Sequence, residues 1–174
     1  MRTDVADSWW TLWYVARALA GGELAGSVEG LLNFPMGGSL WPSDPINGYL
    51  GAPLVWWLGA PAAWSVLCLV HVAASGIAAH LLAQKLGGNG FVAGALYAAA
   101  PISLSHLQNG ASEAVLGTTL LPIAGLAMVG LAQRPGFFRA LLAALALGLA
   151  VAGHVYSGVS AFLLSAAMIL AGVT

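Results

Sequence analysis

Six acids, four histidines and five basic residues are all that this 174-residue chain carries of those types, so each position is informative. Asp44 is the only acid between Glu29 and Glu113, and it sits in a proline-framed segment, Trp41-Pro42-Ser43-Asp44-Pro45. A carboxylate there could take a proton from a hydroxyl or contact a divalent metal. It could also cap the helix that follows, because Asp ahead of Pro is a helix-start signal. Glu113 offers the same chemistry, or it stabilises the dipole of a helix it begins. His106, Asn109, His154 and Tyr156 are further polar candidates, suited to hydrogen bonding with a phosphate or a sugar. His106, His154 and Glu113 could also ligate a metal, but no close ligand spacing supports a cluster. Trp41 could stack on a sugar or an isoprenoid beside Asp44, or belong with the other tryptophans to an interfacial belt. No short zinc, EF-hand or P-loop motif is present.

The elements that must hold these residues are hydrophobic. The chain is 60% hydrophobic and 6% charged, with a mean hydropathy of +0.88. Soluble domains carry about 25% charged residues. Too few charges remain to cover a soluble surface, whereas lipid accepts an apolar exterior. A net charge of −1 gives a nucleic-acid partner no electrostatic support. Cys68, the single cysteine, lies in an apolar run and reads as packing. The N-terminus lacks the long apolar core of a signal peptide.

The expected fold is all-α: one membrane domain over residues 1–174, a polytopic transmembrane helical bundle. An interfacial helix covers 8–20, where Trp9, Trp10, Trp13 and Tyr14 cluster ahead of Arg17. A structured outer loop covers 21–48, punctuated by glycine and proline. Ile46–Leu58 is a short or re-entrant helix. Spans are expected near 62–86, 90–104, 114–132, 137–152 and 159–173. Polar turns at 105–113 and 153–158 separate them on one side, and Lys85 and the Arg134–Arg139 segment mark the other. Two spans separate those basic positions, so they share a side, which the positive-inside rule makes cytoplasmic. The opposite face then collects Asp44, His106, Gln108, Asn109, Glu113, His154 and Tyr156. His71 and His80 are nine residues apart and point to nearly opposite faces of one helix. His71 is the deeper of the two and should hydrogen-bond within the bundle. Small residues recur in every span, which favours close helix packing.

Several stretches resemble a known family. An acid precedes an aromatic helix that reaches an arginine, Asp4 to Trp13-Tyr14-Val15-Ala16-Arg17. Phe34-Pro35 and then Asp44 through Gly51-Ala52-Pro53-Leu54 lead into a spanning helix. That helix closes as Ala79-His80-Leu81-Leu82-Ala83-Gln84-Lys85-Leu86, followed by Phe91–Pro101 and His106. In these features the chain resembles the N-terminal part of bacterial multispanning proteins of the C-type glycosyltransferase superfamily, which use polyprenyl-phosphate-linked sugars. The resemblance implies a catalytic acid in the first non-cytoplasmic loop, a role that falls to Asp4 or Asp7, with Asp44 as a second acid. It implies a location in the bacterial inner (plasma) membrane, the lipid bilayer and a polyprenyl-phosphate sugar as partners, and a divalent metal as a candidate cofactor. Family members begin with a helix before the acid and continue for further helices. The chain is therefore expected to be an N-terminal fragment that packs against helices of a longer parent protein or a partner subunit. The alternative is a non-catalytic membrane scaffold or accessory subunit. A transporter would show paired repeats and a polar site at the midplane, and neither is convincing here.

Overall fold

Proline and glycine decide where the helices of this chain begin and end. The computed structural model describes residues 3–24, 45–109 and 112–170, and Trp41 and Asp44 lie outside them, as do the side chains of Asp4 and Glu113. Among the described residues there are eight helices and no strand: α1 Thr3–Ala20, α2 Pro45–Leu58, α3 Ala60–Lys85, α4 Gly90–Ala98, α5 Pro101–Asn109, α6 Ser112–Gln133, α7 Phe137–Gly153 and α8 Val155–Leu170. Pro45 and Pro101 stand at first helical positions, where a missing N–H costs nothing. Gly87 closes α3 with a left-handed φ of 81°. The Gly88 N–H then reaches back to the Ala83 carbonyl at 2.8 Å and the Gly87 N–H to Gln84 at 3.0 Å, the paired bonds of a glycine C-cap. Asn89 opens α4 by accepting from the Val92 N–H at 3.1 Å.

Among the described residues, three helical stretches are long and apolar enough to cross a membrane: Ala60–Lys85, Gly90–Asn109 and Val115–Gln133. The apolar helices Phe137–Gly153 and Tyr156–Ala167 are shorter. The second stretch is broken at Ala99–Ala100, because Pro101 disfavours helical geometry in the residue before it and gives no N–H to the Tyr97 carbonyl. The Ala100 N–H takes that carbonyl instead, at 3.2 Å. The segment 105–113, expected as a turn, is helical at both ends: α5 runs on to Asn109 and α6 starts at Ser112. Pro101 restarts a helix, and no breaker follows before Gly110. The expected turn at 153–158 shrinks to His154 alone, which is extended between α7 and α8.

The chain divides into two compact units. One contains Met1–Leu69 together with His106–Glu113, and the other contains Val70–Ser105 together with Ala114–Thr174.

In the first unit α1 packs on α2, and glycine sets the approach. A Cβ at Gly48 would lie 2.6 Å from the Val15 side chain, and one at Gly51 would lie 2.5 Å from Leu12. Leu12, Trp64 and Leu67 form one buried cluster, and Val15 and Ala18 another with Trp10, Tyr14 and Tyr49 against it. The Trp56 Nε1–H donates to the Ala16 carbonyl at 3.0 Å. Trp57 projects outward at 89% exposure, and the Arg17 guanidinium lies 5.4 Å from the centroid of the half-exposed Trp13 ring. The aromatic stretch expected at 8–20 is thus the larger part of a helix that starts at Thr3 and holds α2.

In the second unit the helix directions follow from paired contacts. Gly76 meets Ala98 and Gly94 while His80 meets Gly90 and Gly94, so α3 and α4 are antiparallel. His71 meets Thr119, Leu82 meets Gly125 and Lys85 meets Gly130, so α3 and α6 run parallel. Gly153 packs on Leu116 and Leu120 while Arg139 reaches Gly130, which sets α7 antiparallel to α6. On α7 the buried residues are Ala143, Ala146, Ala150 and Gly153, whereas Leu141, Leu142, Leu145 and Leu149 are exposed. Small side chains inside and leucines outside invert the pattern of a water-soluble helix. The arrangement suits lipid, where close backbone packing rather than burial of large apolar groups holds helices together.

Candidate functional site

The polar candidates separate along the two units. Asp4 is in the first turn of α1, and Asp7, one turn later, is solvent-exposed. His106 is half-buried and Asn109 exposed at the end of α5, and Glu113 is the second residue of α6. Residues 106–113 join α1 and α2 in the first unit, so the fold brings this polar segment into the unit of the two tryptophan-rich helices. All six acids of the chain fall in that unit by sequence.

His154 and Tyr156 belong to the second unit. His154 sits at the cap position of α8, where its carbonyl accepts from the Gly158 N–H at 2.9 Å and its Nδ1 pairs with the Ser157 hydroxyl at 2.8 Å. Its ring lies edge-on to Tyr156 at 5.5 Å between centroids. The His154 ring is thus engaged in a local side-chain hydrogen bond where α7 gives way to α8. Tyr156, 78% exposed, stands in the first turn of α8.

The two histidines of α3 do face apart. His71 is buried, and the Thr119 hydroxyl donates to its carbonyl at 3.0 Å while lying 3.4 Å from its Nδ1. His80 instead packs against Gly90 and Gly94 of α4. His71 is thus part of an interhelical hydrogen bond, as a deep polar residue in a span must be.

A tyrosine–proline pair was not singled out from the sequence. Pro122 has no N–H, so the Thr118 carbonyl four residues earlier lacks its helical donor. The Tyr97 hydroxyl supplies one from α4 at 2.8 Å. The legible signal was Pro122 itself, since a proline inside a span always frees a carbonyl that a neighbour must satisfy. Tyr97→Phe is expected to destabilise the fold by about 1 kcal/mol. In a Pro122→Ala background the same change should cost almost nothing, because the new N–H serves Thr118. Unfolding of the four proteins in mixed micelles measures this cycle.

Beside Tyr97 lies an apolar groove of about 260 Å³, lined by Ala79, Leu82 and Ala83 of α3, Leu86 just after it, Ala93 and Tyr97 of α4, Leu121 and Pro122 of α6, and Leu164 of α8. At the end of α3, two cations converge on one residue of α6. The Lys85 Nζ lies 3.2 Å from where a Cβ on Gly130 would be, and the Arg139 Nη1 donates to the Gly130 carbonyl at 3.2 Å and the Arg134 carbonyl at 3.1 Å. Lys85 and Arg139 therefore lie at one end of the unit.

Among the described residues no three His, Cys, Asp or Glu side chains gather into a metal site. The side chains of Asp4, Asp44 and Glu113, the carboxylates considered for a divalent metal, lie outside the described residues. No protein-family model, curated protein or solved structure matches the chain.

Proposed function

We propose that the chain is the membrane-embedded part of a glycosyltransferase that moves a sugar from a polyprenyl-phosphate donor at the non-cytoplasmic face of a bacterial plasma membrane. The observation that carries this reading is the grouping of His106–Glu113 with α1 and α2 in one unit. By sequence it gathers all six acids, all seven tryptophans and the polar end of α5 into one unit. In the reaction the acceptor hydroxyl oxygen attacks the anomeric carbon of the sugar. A carboxylate, Asp4 or Asp44, takes the hydroxyl proton, and the bond from the anomeric carbon to the phosphate oxygen breaks to release polyprenyl phosphate. His106 and Asn109 are suited to hold sugar hydroxyls or phosphate oxygens, and Trp41 to stack on the sugar. Glu113, as the second residue of α6, serves the dipole of that helix as well as the polar face.

The reading is tested with the wild-type protein in liposomes, given a polyprenyl-phosphate donor carrying a radiolabelled sugar and a mixture of membrane acceptors. Transfer of label with release of polyprenyl phosphate is the expected result. No transfer and no donor binding would leave the scaffold or accessory-subunit reading.

A further inference from the structure

We infer that the second unit binds one anionic glycerophospholipid, its acyl chain in the groove between α3, α4, α6 and α8 and its phosphate on Lys85 and Arg139. Two independent features point to the same ligand. The first is the groove. Its volume of about 260 Å³ falls below the roughly 300–1,000 Å³ usual for pockets that enclose compact small molecules, and fits a length of hydrocarbon chain. Tyr97 carries the only side-chain hydroxyl on its lining, and that hydroxyl is already donated to Thr118. No side-chain donor is left there for a polar ligand, so the wall selects an alkyl chain.

The second feature is the charge at the groove's end. Leu86 of the lining directly follows Lys85, the last residue of α3. Lys85 and Arg139 both close on Gly130, although like charges repel. Residues 70–105 and 114–174 contain no Asp or Glu, so within this unit's own sequence no carboxylate faces the pair, and Arg139 is met only by the Gly130 and Arg134 carbonyls at the end of α6. The positive-inside rule explains why basic residues share a side of the membrane. It does not explain why two of them meet over one glycine beside an apolar groove. A phosphate between them would relieve the repulsion, and basic pockets between helices at the cytoplasmic side bind anionic headgroups in this way. The Lys85 ammonium lies over Gly130, 3.2 Å from where a Cβ would stand. The polyprenyl-phosphate donor of the proposed reaction belongs instead with the His106–Glu113 segment, so either reading can fail without the other.

The test titrates the purified protein in detergent with dioctanoyl phosphatidylglycerol and with dioctanoyl phosphatidylcholine, following bound lipid by native mass spectrometry. The expected result is saturable binding of one phosphatidylglycerol, at least about tenfold tighter than phosphatidylcholine. Lys85→Gln, at an exposed position, should weaken phosphatidylglycerol about fivefold and leave phosphatidylcholine unchanged. Ala83→Phe should fill the groove and weaken both lipids, with helix content checked by circular dichroism. Equal affinity for the two lipids would overturn the proposal. So would a phosphatidylglycerol preference that survives Lys85→Gln, or tighter binding of undecaprenyl phosphate at the same site.

Discussion

Asp44→Asn is expected to lower sugar transfer by about 10²–10⁴-fold while leaving the protein folded in the membrane. The two roles open to this residue separate cleanly under that substitution. Asparagine caps a helix about as well as aspartate does, so a cap supplied by this residue to α2, which starts at Pro45, would survive the change. The amide has no basicity at neutral pH and cannot accept the acceptor's proton. Asp44→Ala removes both functions and should add a stability loss of about 1 kcal/mol. Asp4→Asn is expected to behave likewise: a position in the first turn of α1 loses only a fraction of a kcal/mol of dipole interaction, about 0.3–1. If Asp4→Asn abolishes transfer and Asp44→Asn does not, Asp4 is the base and Asp44 a cap. Full transfer by both variants would remove both carboxylates from the chemistry. The measurement is initial-rate transfer from the polyprenyl-phosphate donor, with membrane insertion of each variant verified.

Gly94→Val should be the most damaging packing change in the second unit. A Cβ at Gly94 would stand 2.6 Å from the Gly76 carbonyl oxygen and 3.0 Å from the His80 Cβ. The first of those neighbours is backbone, so relief requires α3 and α4 to move apart. That separation also loosens Gly76 against Ala98 and Gly90 against His80, which share the seam. Overpacking of this kind costs about 1–3 kcal/mol before the loss of the neighbouring contacts is counted. Gly148→Val is the matched control, because Gly148 is exposed on α7 and a Cβ there meets nothing within 4 Å. Reversible unfolding in mixed micelles should separate the two variants by at least about 2 kcal/mol. Equal stability would mean that the α3–α4 seam is not packed as described.

The helical class and the membrane setting were legible because they rest on quantities a sequence carries directly: the scarcity of charge, the length of the apolar runs, and glycine or proline at their ends. Pro45 and Gly87 mark the start of α2 and the end of α3 as their chemistry requires. The opposed faces of His71 and His80 followed from helical period alone. The shared end of Lys85 and Arg139 followed from counting helices. The polar turn at 105–113 was misjudged because Ser105, His106, Gln108 and Asn109 look like loop residues by composition. Pro101 restarts a helix that continues through them, and polarity by itself does not end a helix. His154 drew attention for the same reason, and only the local geometry reveals its hydrogen bond to Ser157. The groove and the Tyr97–Thr118 bond were out of reach because they join residues 21 positions apart on separate helices, and no local pattern encodes such a meeting. Of the candidate site, the division of His106 and Asn109 from His154 and Tyr156 was invisible, since all four carry the same signal of a polar residue between apolar runs.

Sided labelling tests the central claim, that the polar segment near Asn109 and the cationic turn near Gly136 lie on opposite faces of a membrane. One helix, α6, separates the two positions, and both are exposed. In a Cys68→Ala background, Asn109→Cys and Gly136→Cys are each introduced and treated with a membrane-impermeant maleimide in sealed, right-side-out vesicles. The prediction is that position 109 labels from outside, and position 136 labels only after the vesicles are opened. Labelling of both positions from the same side would contradict the crossing by α6.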